Sequence, residues 1–269
     1  MFSKYLFGLV IFCAPLPALA HEFWIEPQEY QVESGGTLVA DLKNGENFKG
    51  SSLGWFDSNF TRFEIATAEG ILPVEGRAGD YPAMTLTAPG EGLLVVLHET
   101  TPARLTYREW EKFLKFAAHK DFPDAAAEHA ARGWSQERFR ETYTRHVKAL
   151  VAVGDGAGQD RPFGLTTEIV ALENPYDPDF AGPMQVQVLY KGAARADAQV
   201  EVFARDPAGT VTVTLTRTDD QGVAEIPVSP GYDYLLDAVV LRVAEGAGSD
   251  PDAPVWRTLW AALTFHVPR

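Results

Sequence analysis

Six histidines are the residues of this chain best suited to metal or proton chemistry: His21, His98, His119, His129, His146 and His266. His21 stands apart by position. It follows Ala18-Leu19-Ala20, the A-x-A form that signal peptidase accepts. Upstream lie Lys4, an apolar stretch from Leu6 to Cys13, and the helix breakers Pro15 and Pro17. Cleavage after Ala20 would start the mature chain at His21-Glu22-Phe23-Trp24. A terminal histidine carries two nitrogen donors, its imidazole and an α-amine whose pKa lies well below that of lysine. Both can hold one divalent ion as a chelate.

His98 closes the apolar run Leu93–Leu97 and is followed by Glu99. A polar residue at the end of a buried strand sits where a sandwich opens to solvent, which makes His98 the second candidate ligand. Tyr143, His146 and Leu150 are spaced i, i+3 and i+7, so His146, the third candidate, is placed on one face of a predicted helix. His119 and His129 lie among charged residues and read as solvated. His266 reads as a surface position of the last strand. No H-E-x-x-H motif is present, so any metal site must be assembled from distant segments.

Other chemistries find less support. No serine lies in a nucleophile elbow. Gly154–Gly158 lacks the Lys-Ser or Lys-Thr pair of a phosphate loop. Asp177, Asp179, Asp219 and Asp220 fit turns better than a calcium loop. Trp256 and Trp260 read as packing residues rather than a sugar platform.

Composition narrows the field further. A formal net charge of -14 argues against nucleic acid, because the phosphate charge would go uncompensated. The single cysteine, Cys13, lies inside the export signal, so the mature chain would have neither disulfides nor thiolate ligands. Beyond the signal no apolar run is long enough to span a membrane. The expectation is a periplasmic protein, secreted through a cleavable signal peptide and not membrane-spanning. Nitrogen and oxygen donors without sulfur suit Ni(II), Co(II), Cu(II) or Zn(II).

The elements that must position these residues are mainly β. Short apolar runs broken by Gly, Pro and Asn between Phe23 and Leu97 predict strands. Helical spacing takes over at Thr106, with helices expected around Trp110–Ala117, over Asp124–Arg132, and from Ser135 to about Val151. From Glu168 onward short strands return, the pattern of an immunoglobulin-like or prealbumin-like sandwich. The expected organisation is a signal peptide at 1–20, a β-sandwich domain at 21–165 with an α-helical insertion at about 106–151, and a second β-sandwich at 166–269.

Several stretches then resemble a known family. Ala20–Pro27, Tyr143–Leu150, Gly164–Val170, Glu173–Tyr176 and Leu259–Phe265 recur in order across the mature chain, and together they resemble the DUF4198 family. Its members are described as periplasmic components associated with nickel or cobalt uptake. The resemblance implies His21 at the mature terminus, Ni(II) or Co(II) as the favoured metal, and a membrane metal permease as partner. The expectation is a non-enzymatic metal binder using His21, His98 and His146. The alternatives are a copper histidine-brace oxidative enzyme and a non-catalytic carbohydrate- or protein-binding envelope module.

Overall fold

A middle sheet, covered on both faces, organises the molecule. The computed structural model describes residues 21–269, so the expected signal peptide lies outside the described residues. The first half contains β1 (Glu22–Pro27), β2 (Gln31–Val32), β3 (Thr37–Glu46), β4 (Lys49–Leu53), β5 (Phe60–Ala66), β6 (Ile71–Pro73), β7 (Met84–Thr87), β8 (Gly92–Thr100) and β9 (Ala103–Tyr107). Two short helices follow, α1 (Trp110–His119) and α2 (Ala125–Ala131). The chain then returns to strands: β10 (Phe139–Val153), β11 (Thr167–Ala171), β12 (Met184–Tyr190), β13 (Ala193–Ala194) and β14 (Gln199–Arg205). It closes with β15 (Val211–Arg217), β16 (Val223–Ile226), β17 (Asp233–Val243) and β18 (Trp256–His266). The protein is mainly β, as its alternating runs predict.

The middle sheet runs β15-β14-β17-β18-β10-β8-β5-β6, with β2 and β9 also pairing with β10. Its join between early and late segments is the parallel pair β10–β18, from Glu141 opposite Trp256 to Ala149 opposite Thr264. The sheet is therefore continuous across the 165/166 boundary. Side chains alternate between the two faces of each strand, and each face has its own cover. On one face lies the sheet β1-β3-β4 with β7, whose Trp24, Ile25, Leu38 and Leu42 pack on Leu94, Val96, Val147, Ala149 and Val151. On the other lies the sheet of β11, β12, β13 and β16, whose Ile169, Val186, Val188 and Ile226 pack on Val95, Leu97, Leu150, Leu236, Leu263 and Phe265. The two sandwiches read from the sequence thus share one middle layer.

The helices sit on the middle sheet beside β1-β3-β4. Phe113, Phe116 and Ala117 of α1 and Ala125 of α2 pack on Tyr107, Phe139, Val239, Trp256 and Trp260. Trp256 and Trp260 are packing residues, as expected. The third predicted helix is a strand instead. Residues 139–153 are extended because Val147, Ala149, Val151 and Val153 fill one apolar face while Leu150 and Ala152 fill the other. Each large apolar side chain so buried contributes about 1.5–3 kcal/mol, which outweighs the weak helix propensity of the segment. His146 consequently lies on a strand, not on a helix.

Candidate functional site: the cleft at His21

Strand alternation separates the three expected ligands. On β8, Leu94, Val96 and His98 share one face; on β10, His146 shares the opposite face with Leu150 and Ala152. His98 and His146 therefore lie on opposite sides of the middle sheet. His98 is 2% exposed and enclosed by Phe23, Phe60 and Phe63, with ring centroids at 5.3, 5.4 and 5.0 Å. Burial pushes its pKa down to about 3, and its Nδ1 has no hydrogen-bond partner. His146 is 1% exposed, with Nδ1 3.2 Å from the Trp260 carbonyl and Nε2 3.7 Å from Glu99. Burial lowers its pKa to about 4. Both imidazoles are neutral core groups. Among the described residues no group of three or more His, Cys, Asp or Glu is arranged to hold a metal ion, so the three histidines do not form one site.

Of the remaining histidines, His129 departs most from its sequence reading. His129, expected to be solvated, is buried among Trp110, Phe113 and Phe139, and its Nδ1 accepts a hydrogen bond from Trp256 Nε1 at 3.0 Å. His119 is half-exposed but places Nε2 2.8 Å from the buried Glu201. His266 pairs with Asp233 at 2.8 Å.

His21 occupies a different setting. It lies one step beyond the β1–β3 pair Glu22–Gly45, which brings it beside Glu46. Its side chain is 56% exposed and its Nε2 is 3.4 Å from Glu46 Oε1. Its carbonyl accepts a hydrogen bond from Arg145 Nη2 at 2.8 Å, so the main chain is anchored while the ring stays accessible. The ring lines a cleft of about 450 Å³ that also exposes Asn44, Tyr107, Arg108, Lys112, Tyr143, Arg145 and Trp260.

Beneath this cleft is a set of buried charges. Lys120, the residue after α1, contacts Glu201, lies 2.9 Å from Asp237 and 3.8 Å from Glu22, and sits 4.7 Å over the Trp260 ring. Burial alone would depress the Lys120 pKa, but Asp237, Glu201 and Glu22 more than offset it and hold the ammonium charged. Glu22, the residue after His21, is pushed up to about 7 by burial and then by the Asp237 charge. Asp237 is raised by burial as well. Glu141, at the cleft wall, is raised to about 7 by burial and accepts a hydrogen bond from Tyr107 at 3.2 Å.

None of Glu22, Lys120, Arg145, Glu201 or Asp237 is singled out by local spacing. The available signal is a lone charge inside an apolar strand, as with Glu201 in Val200-Glu201-Val202 and Asp237 in Leu235-Leu236-Asp237-Ala238-Val239. Fold and site together define a mainly β scaffold, trimmed by two short helices, that presents His21 at a charged cleft.

Comparison with known proteins supplies the family. Residues 18–242 match the family described as a domain of unknown function, DUF4198, and the chain belongs to that family. No curated protein matches the chain. Among solved structures, the D0-D1 domain of intimin is 11% identical, covering 90% of this chain and 97% of that one, with a TM-score of 0.21. A tetra-tandem repeat from the extending region of a large adhesion protein is also 11% identical, covering 91% of this chain and 49% of that one, with a TM-score of 0.20. Superpositions that loose leave the architecture to be read from the chain's own sheets. Among the described residues no helix is long and apolar enough to cross a membrane.

Proposed function

We propose that this is an exported, periplasmic protein that binds a divalent transition metal at His21, without catalysis, and delivers it to a membrane metal permease. Ni(II) and Co(II) are the favoured cargo, following the family resemblance. The donors are the α-amine released by cleavage after Ala20 and Nδ1 of the same residue. One observation carries this reading: the His21 main chain is tied to Arg145 while its ring lies open at a cleft with Nε2 toward Glu46. Among the described residues no hydrogen bond engages Nδ1. A carboxylate beside the distal nitrogen of a ligating imidazole fixes the ring and strengthens it as a donor. His98 and His146 leave the donor set, because they face opposite sides of the sheet. The remaining coordination positions fall to water or to a second molecule in the cleft.

Calorimetric titration of Ni(II), Co(II), Cu(II) and Zn(II) tests this. One sample begins at His21 and the other carries one extra alanine before it. Tight one-to-one binding is expected in the first and its loss in the second. Equal binding in both would remove the terminal chelate. Reductant-dependent oxygen consumption by the copper-loaded protein would instead make it an enzyme.

A further inference from the structure

Among the described residues Arg145 forms no ion pair, although Asp237, Glu22 and Glu141 lie near enough to act on its charge. Its guanidinium is buried against Tyr143, Phe23 and Trp260, 5.1, 5.6 and 5.8 Å from their ring centroids. Nη1 donates to the Asn44 side-chain carbonyl at 2.9 Å and Nη2 to the His21 backbone carbonyl at 2.8 Å, both neutral acceptors. Nε has no hydrogen-bond partner, and among the described residues no carboxylate lies within ion-pair distance of Arg145. The buried lysines behave differently: Lys120 contacts Glu201 and Asp237, and Lys148 contacts Asp160 and Glu168, whereas Arg195, like Arg145, meets only a neutral acceptor, the Val239 carbonyl. Buried charges are normally paired, and a guanidinium matches a carboxylate with two parallel donors.

The surrounding cleft repeats the imbalance. In a chain with a formal charge of -14, its wall carries Arg108, Lys112 and Arg145 against Glu109 and Glu141. Glu109 and Lys112 pair at 2.7 Å and cancel, which leaves Arg108 and Arg145 against the buried Glu141. A metal complex carrying a carboxylate can hydrogen-bond to the Arg145 guanidinium, which a bare dication cannot.

Resting on the metal-binding reading above, we propose that the cleft takes its metal as a complex with a small polycarboxylate, one carboxylate docking on Arg145 while His21 completes the coordination. A volume of about 450 Å³ is suited to a ligand of that class. Arg108 at the rim steers the anionic complex inward. The polycarboxylate supplies the coordination positions that His98 and His146 do not.

Nickel citrate is the probe for the test, on protein beginning at His21. In equilibrium dialysis with radiolabelled citrate, one citrate per protein should be retained when Ni(II) is present and none when it is absent. Raising the citrate concentration should leave the apparent nickel affinity unchanged or tighter. Citrate that strips nickel from the protein in proportion to its concentration overturns the proposal while leaving the His21 site standing. Failure of both bare nickel and nickel citrate to bind removes the metal reading with it. Arg145 also anchors His21, so Arg145→Lys is paired with the exposed double variant Arg108→Gln, Lys112→Gln. The double variant should weaken citrate retention about threefold while leaving binding of bare nickel unchanged or slightly tighter. Equal effects on both probes would count against docking of the carboxylate.

Discussion

Two buried lysines, one on each side of the middle sheet, are solved in different ways. Lys148 projects toward the second sandwich, 2.7 Å from Asp160 and 3.2 Å from Glu168. Those carboxylates are themselves saturated: Glu168 accepts the backbone N–H groups of Phe163 and Leu165, and Asp160 that of Ala171. The network closes on itself and ties the loop before β11 to β10. Lys120 lies beneath the cleft with three carboxylates at unequal distances, and two of them, Glu22 and Asp237, are pushed toward the neutral form by burial. A saturated network is a structural clamp. An unsaturated one beside a cleft, with Arg145 unpaired above it, marks the end of the molecule open to a ligand.

Breaking each network should expose the contrast. The largest loss is expected from Lys148→Met, which leaves two buried carboxylates without the cation they contact. A drop of about 3–5 kcal/mol in unfolding free energy, read from denaturant midpoints, is anticipated. Lys120→Met should cost less and depend on pH. Without the ammonium the clustered carboxylates have folded pKa values above their unfolded ones, so the folded state binds more protons. The variant should therefore lose stability as pH rises from 6 to 8, by up to about 1.4 kcal/mol per pH unit per proton. A penalty that does not change between those pH values would equate the two networks.

The histidines sharpen the same comparison on a smaller scale. His98 has a folded pKa of about 3, below its unfolded value, so its contribution is complete above about pH 6.5 and is lost as pH falls. His98→Leu should gain on the parent below that pH, by at most about 1.4 kcal/mol per unit. Parallel stability curves for parent and variant would mean the ring is protonated in the fold. His21→Ala should shift stability by no more than about 0.5 kcal/mol, since the ring is exposed, while abolishing metal binding.

Much of the architecture was legible before the structure. Alternation in Thr37–Leu42, Gly92–Leu97 and the runs after Glu168 announces strands, and Trp110, Phe113 and Ala117 announce α1. Residues 139–153 misled because Tyr143, His146 and Leu150 satisfy helical spacing by coincidence, while the competing alternation of Val147, Ala149, Val151 and Val153 marks the strand. The site was legible only in part. His21 is visible through its position after Ala20, whereas Arg145 and Lys120 look like ordinary charges.

The sequence by itself determined the β content and the family and singled out His21 as a candidate, because each depends on neighbouring residues or on motif order. Only the tertiary structure decided which groups meet. A strand's side chains alternate, so one residue of register sends His98 and His146 to opposite faces. Glu22, Lys120, Glu201 and Asp237 are far apart in the chain, and only the pairing of β1, β14 and β17 with their neighbours brings them together.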